Sequence, residues 1–421
     1  MTHSMPDISP ANAMMQKRND CHNLVQTFLA DCFPSQRSSL SPRSWITLLV
    51  TLPTEVKALQ LSSAAVAASA IGRKFHNTAL VRNSHNLYIQ GLRHLQHALQ
   101  DRALVRDDGT LAACMALSLY EAMECPSGGS GAYFSHCEGI MALVQARGVE
   151  AHSSGAGHQL FLGVRIPAIL YALESHSLSF ISSSAWMNYP WEGKLKNPFT
   201  QIVDCLAHAP GILQRVHLLA GLDRQEQVDM CDTLINECWH IDERLDVISD
   251  KMQQASPDPL YWPVDSRMNL LSHSKDPRTP FPALFRFVDL ETANSLILLW
   301  AIRVMLWSGR CNLYRLMDSD YPIPDPITIQ IVSSPSRSRK SLPPLGHRRD
   351  YVSMVHHVCQ SVEYILGEEM LLAGPLSVTP ALGIVLESVR GETSCYREVA
   401  WLRAAIDVAR QRGLGLLQHA R

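Results

Sequence analysis

Residues 133–148 read YFSHCEGIMALVQARG and residues 158–165 read HQLFLGVR, with a polar Gly/Ser connector between them. In the first segment Tyr133, Cys137, Ile140 and Val144 recur at steps of four, three and four, so they share one face of a helix. Gly139 lets another helix approach closely. Arg147 stands where a helix C-terminus favours positive charge, and Gly148 suits the left-handed residue just past the end. The second segment restarts the apolar pattern with Leu160, Phe161 and Val164. Neither segment contains a nucleophile motif, a metal box or a phosphate loop. Their anomalies are His136 and Arg165, polar residues that must find partners or face a cavity inside an apolar bundle. Together with Arg147 they are expected to form a polar joint between helices or part of a ligand pocket.

The same helical period governs the rest of the chain. Tyr88, Leu92, Leu95 and Leu99 make one stripe. Residues 111–124 are apolar nearly all round, the pattern of a central, buried helix. Leu234, Cys238, Ile241, Leu245, Ile248 and Met252 mark a long amphipathic helix starting near Asp223. Leu290, Ala293, Ile297, Trp300, Val304 and Trp307 mark a helix for the interior of the bundle. Two more helices close the chain. No convincing strand alternation extends over six residues, so the expected fold is all-α, a large multi-helix bundle. Residues 1–40 are expected to be a mobile arm or a loosely docked helix. Residues 41–421 then form one helical domain with long loops at 255–282 and 319–349. The aromatic loop Trp186–Trp191 is expected to plug the core.

Charge is nearly balanced, with 37 basic against 39 acidic residues, which argues against a wholly basic nucleic-acid binder. Eleven cysteines are scattered without a Cys-x-x-Cys pair and read as reduced thiols. The N-terminal residues lack a hydrophobic signal core, and the apolar run Leu296–Trp307, interrupted by Arg303, is too short to span a bilayer; a soluble protein without membrane contact is expected.

Few residues suggest chemistry. Asp242, Glu243 and Asp246 have the form of an Asp-rich motif, and two carboxylates four apart on a helix can hold Mg²⁺ for a diphosphate substrate. That is how a terpene-cyclase-like enzyme would look, but its second metal motif is absent downstream; a charged helix rim is the plainer reading. His94 with His97, and His356-His357 with Glu363, lack further ligands at useful spacing, so no metal site is expected. Gly128–Gly131 has no strand before it and no Lys-Ser/Thr after it, and reads as a turn. Arg337, Arg339, Lys340, Arg348 and Arg349 lie in a Ser/Pro-rich segment and read as a nuclear-import patch or as an ordinary solvated loop.

In order along the chain, several of these segments resemble the fungal-specific regulatory domain found downstream of the binuclear zinc cluster in fungal transcription factors. The resemblance rests on Tyr88–Leu99, on Leu117-Ser-Leu-Tyr-Glu121, and on the block of His136, Gly139, Leu143, Arg147 and Gly148. Leu160-Phe161 with Arg165, Pro190-Trp191, and Phe287-Val-Asp289 with Ala293 through Trp300-Ala301 complete it. It covers roughly residues 45–415, and Tyr133 stands where the family usually has tryptophan. It implies a helical scaffold, a nuclear regulator of a gene set such as a secondary-metabolism cluster, and action through the transcription machinery or a DNA-binding partner. Homo-oligomerisation and a small-molecule effector are further expectations. The family's zinc module needs six thiolates in two Cys-x-x-Cys halves. This sequence has only Cys21 and Cys32 near its N-terminus, so no zinc-cluster DNA contact and no cofactor are expected from it. The alternative expectation is a biosynthetic cyclase or isomerase on the same scaffold, with Mg²⁺ at Asp242, Glu243 and Asp246.

Overall fold

The central helix, α5 (Asp108–Glu124), shows how the N-terminal half is built. In the computed structural model, which describes residues 10–33, 45–53, 55–126, 128–265, 281, 283–318 and 344–415, nearly every α5 side chain is buried. Its start is fixed by Asp107, whose side chain accepts from the Gly109 amide at 2.7 Å. Around it pack α3 (Lys57–Lys74), α4 (Thr78–Gln100), α6 (Gly131–Arg147) and α7 (Gly155–Glu174). The Ala-rich α3 lies close against α4: a Cβ added to Gly91 would stand 3.4 Å from both the Ser62 amide nitrogen and a Leu117 methyl. Small side chains on one helix and a glycine on the other allow that approach.

The C-terminal half surrounds α12 (Leu290–Asp318), which packs against α9 (Pro198–Leu206), α11 (Arg224–Gln254), α13 (Tyr351–Ile365) and α14 (Ala373–Val389). α15 (Tyr396–Gln411) covers α13 and α14. α11 begins with a complete capping box: Asp223 accepts from the Glu226 amide at 2.9 Å, and Glu226 accepts from the Asp223 amide at 3.1 Å. Shorter helices complete the set: α2 (Leu48–Thr51), α8 (Ser184–Asn188) and α10 (Ala209–Leu218). Among the described residues the chain is all-α in class, a large multi-helix bundle, as its periodicity requires.

The structure refines or departs from expectation in three places. First, of the two readings of residues 1–40, α1 (Pro10–Cys32) follows the docked helix: it lies on α3 with Val25, Phe28 and Cys32 buried. Its apolar residues sit four and three apart, enough for one stripe. Second, the 255–282 loop contains β1 (Tyr261–Asp265), which pairs antiparallel with β2 (Ala283–Phe287). Tyr261 packs against Trp300 with ring centroids 5.2 Å apart, and Phe287 against Tyr364 at the same separation, so the hairpin caps α12 and α13. Third, α7 and α12 are each long and apolar enough, by length and composition, to cross a bilayer. The expectation stopped α12 at Trp307, whereas the helix runs on. That stretch of α12 is 72% buried inside the bundle, as a core helix should be; α7 is only 44% buried, because one of its faces lines a cleft. The aromatic loop behaves as a plug: Trp191 is buried, and Trp186 packs on Phe161 with centroids 5.3 Å apart.

Candidate functional site: buried arginines and a polar-ended cleft

The resemblance residues of α4 and α5 meet in a polar knot. Tyr88 stacks on Tyr120 at 4.6 Å between centroids, and its hydroxyl donates to Glu121. Ser84 and Tyr120 hydroxyls lie 3.1 Å apart. Burial pushes the Glu121 carboxyl above its ordinary range, against the lowering effect of the Tyr88 hydroxyl. One turn on, Glu124 receives Arg73 and Ser69; these bonds outweigh burial and hold its carboxyl below the ordinary range.

His136, Arg147 and Arg165 do not form one joint. Arg147 reaches back to α5, donating to the Asp107 carbonyl at 2.9 Å and to Asp108, and so ties the end of α6 to the start of α5. Arg165, on α7, is buried and joins α9: it donates to Asp204 and, at 3.4 Å, to the Thr200 carbonyl. Lys196 holds the other Asp204 oxygen. The Trp191 ring lies beneath both cations, 4.7 Å from the Arg165 guanidinium carbon and 4.4 Å from Lys196 Nζ. His136 is half-buried, and burial lowers its imidazole pKa. Arg147 and Arg165 are therefore two separate helix-to-helix ties.

The Asp-rich motif is engaged by basic side chains. Asp242 is fully buried. Its Oδ1 accepts from Trp307 Nε1 at 3.0 Å; its Oδ2 accepts from Arg310 at 2.8 Å and from Arg348. Arg303 Nε stands 3.6 Å from Asp242, and its terminal nitrogen donates to Asp246, which also accepts from Arg348 at 2.8 Å. Trp239 is flanked by Arg310 at 4.2 Å and Arg348 at 4.8 Å. Two carboxylates thus face three guanidiniums, an arrangement that repels a divalent cation. Glu243 points to solvent on another face. This arrangement does not favour the Mg²⁺-dependent cyclase expectation, and Asp242 departs from the charged-rim reading, which the exposed Glu243 and the half-exposed Asp246 fit. Burial raises the Asp242 pKa, but the bonds from Trp307, Arg310 and Arg348 prevail and hold its carboxyl below the ordinary range.

The same cluster divides the basic patch. Arg348 is engaged by Asp242 and Asp246, while Arg349 is exposed. Arg337, Arg339 and Lys340 lie outside the described residues. His356 meets Glu398 at 2.9 Å, and among the described residues no three His, Cys, Asp or Glu side chains gather as a metal site would require.

Between α7 and α10 on one side and α12 and α14 on the other lies a partly open cleft of about 2130 Å³. Leu162, Ile166, Leu170, Val216, Leu313 and Leu376 give it an apolar lining. Trp300 and Trp307 do not line it; both are buried in the packing around α12. Arg165, Lys194, Glu291 and Asn294 are among its polar lining residues. Glu291 accepts from Asn197 at 3.2 Å, and burial with nearby Asp289 raises its carboxyl pKa.

Comparison with known proteins places this architecture. The fungal-specific transcription factor domain family matches residues 23–261, more than half of the chain. An uncharacterized protein of Emericella nidulans, AN5342, is 26% identical over 165 residues, 37% of this chain. The match spans about a third (35%) of that relative's length. No solved structure matches the chain. The matched segment contains the Tyr88 knot, the Arg147 and Arg165 ties and the start of the hairpin, and by this match the chain belongs to the fungal-specific transcription factor domain family.

Proposed function

We propose that this chain regulates transcription of a fungal gene set, such as a secondary-metabolism cluster, from within the nucleus. It does so by contacting the transcription machinery or a DNA-binding partner protein, with a small-molecule effector as the signal. The family match across residues 23–261 carries this reading. The Asp242 carboxylate, bonded to arginines and a tryptophan in place of a metal ion, agrees with it. A cleft with a mainly apolar lining supports the effector part. Profiling a deletion strain for both transcripts and metabolites tests the reading. Loss of coordinated expression of a gene group is the expected result. Accumulation of one intermediate with unchanged transcripts would contradict it.

A further inference from the structure

Two of the helices that wall the cleft each contain a proline. Pro167 lies inside α7 and Pro380 inside α14, and both line the cleft. A proline has no N–H, so it cannot donate to the carbonyl four residues before it. Those carbonyls belong to Gly163 and Leu376, and both residues line the same cleft. Gly163 has no side chain, so it lines the cleft with backbone alone. Nearby hydroxyls do not replace the donor lost at Leu376: Thr379 donates to the Pro375 carbonyl at 2.7 Å, and Ser377 to the Gly374 carbonyl at 2.9 Å. A backbone acceptor without its helical donor has a bond to offer elsewhere.

The lining carries no surplus of charge. Among the described residues its charged members are Arg165, Lys194 and Arg390 against Glu174, Glu291 and Glu387. Arg165 is met by Asp204, Lys194 donates to the Ser153 carbonyl, and Arg390 pairs with Glu387 at 3.1 Å. An ionised ligand would lose hydration in such a place without a matching charge in return. Beside the two prolines the walls are apolar and half-buried: Leu162, Ile166 and Leu170 on α7, and Leu376 on α14.

We propose that the cleft binds a neutral, largely apolar molecule whose hydroxyl or N–H group donates to the Gly163 or the Leu376 carbonyl. Its body lies on Leu162, Ile166 and Leu170. The cleft exceeds the roughly 300–1,000 Å³ of a drug-sized site, which leaves room for a polycyclic body. As the effector of the regulator this ligand rests on the reading above. Binding is measured on the purified chain, so its failure leaves the transcript test untouched.

The experiment titrates the full chain with pyrenebutanol, with its methyl ether and with pyrenebutanoate, following pyrene fluorescence. The alcohol is expected to bind about threefold or more tighter than the ether, the scale of one net hydrogen bond. It should bind about tenfold or more tighter than the carboxylate, whose charge must be desolvated. Pro167→Ala and Pro380→Ala each return a helix N–H to the carbonyl four residues back. The variant whose carbonyl the ligand uses should lose the preference for alcohol over ether and still bind the ether. Ile166→Trp and Leu170→Trp fill the cleft from α7; both should abolish binding while leaving the melting temperature unchanged. Leu376→Trp fills it from α14 and carries the test if either of those unfolds. Carboxylate bound as tightly as alcohol overturns the neutral ligand. Equal affinity for alcohol and ether, or a preference that survives both alanines, overturns the role of the two carbonyls. No binding of any probe, or binding unaffected by the tryptophans, overturns the site. A dimer that dissociates in the tryptophan variants assigns the cleft to a second copy of the chain and overturns it too.

Discussion

At the scale of single residues, stability depends on charges placed where water cannot reach them. Asp242 is the sharpest case. Asp242→Asn removes the charge that Arg303, Arg310 and Arg348 share, and should cost about 3–5 kcal/mol in urea unfolding, as breaking a buried ion network does. Because its folded pKa is depressed, Asp242 contributes stability that is present above the unfolded value of roughly 4 and is lost as pH falls through the folded value. The Asn variant should lack that part of the acid loss; an unchanged acid limb would contradict the assignment. The burial of Asp242 was legible in principle: Cys238, Asp242 and Leu245 follow steps of four and three, so the aspartate lies on the apolar stripe. Likewise Trp300, Arg303, Trp307 and Arg310 follow three, four and three, which puts two arginines on the buried face of α12. That Arg348 is the third partner was not legible, because nothing local distinguishes it from Arg349.

At the scale of elements, close contacts between helices set what each position tolerates. A Cβ on Gly157 would lie 2.0 Å from the Ala151 carbonyl oxygen, a backbone atom that cannot rotate away. Gly157→Ala should therefore cost about 1–3 kcal/mol, whereas Gly131→Ala, with open space at the start of α6, should be neutral or slightly stabilising. Equal melting temperatures for the two variants would contradict the close packing of α7 on the preceding turn. Removing the α11 cap by Asp223→Ala should cost about 1 kcal/mol, read from the urea midpoint. The helices were legible because a period of 3.6 leaves a mark over many residues. The hairpin was not: each strand has five residues, Pro263 interrupts β1, and Trp262 is exposed, so no apolar alternation signals it. The cleft escaped sequence reading as well. Leu162, Ile166 and Leu170 look like core positions, and only the arrangement of α7 against α14 leaves them half-buried.

At the scale of the whole molecule, burial holds His136, His152 and His208 as neutral imidazoles with lowered pKa values. For a histidine so depressed, stability is present above the unfolded value of about 6.5 and is lost as pH falls through the folded value. The urea midpoint should therefore drop between about pH 7.5 and about pH 5.5, and a midpoint that rises over that interval would contradict their burial. Among the described residues the bundle is a scaffold whose buried charged side chains tie helix to helix, with a mainly apolar cleft beside α7. On the proposed function, the chain would act on transcription through contacts with other proteins. The most direct measurement fuses the chain to a heterologous DNA-binding module and reads a reporter gene in a fungal cell, with fusion abundance and nuclear entry checked. A clear change in reporter output relative to the module alone is expected. A fusion that is abundant, folded and nuclear yet leaves the reporter unchanged would contradict it.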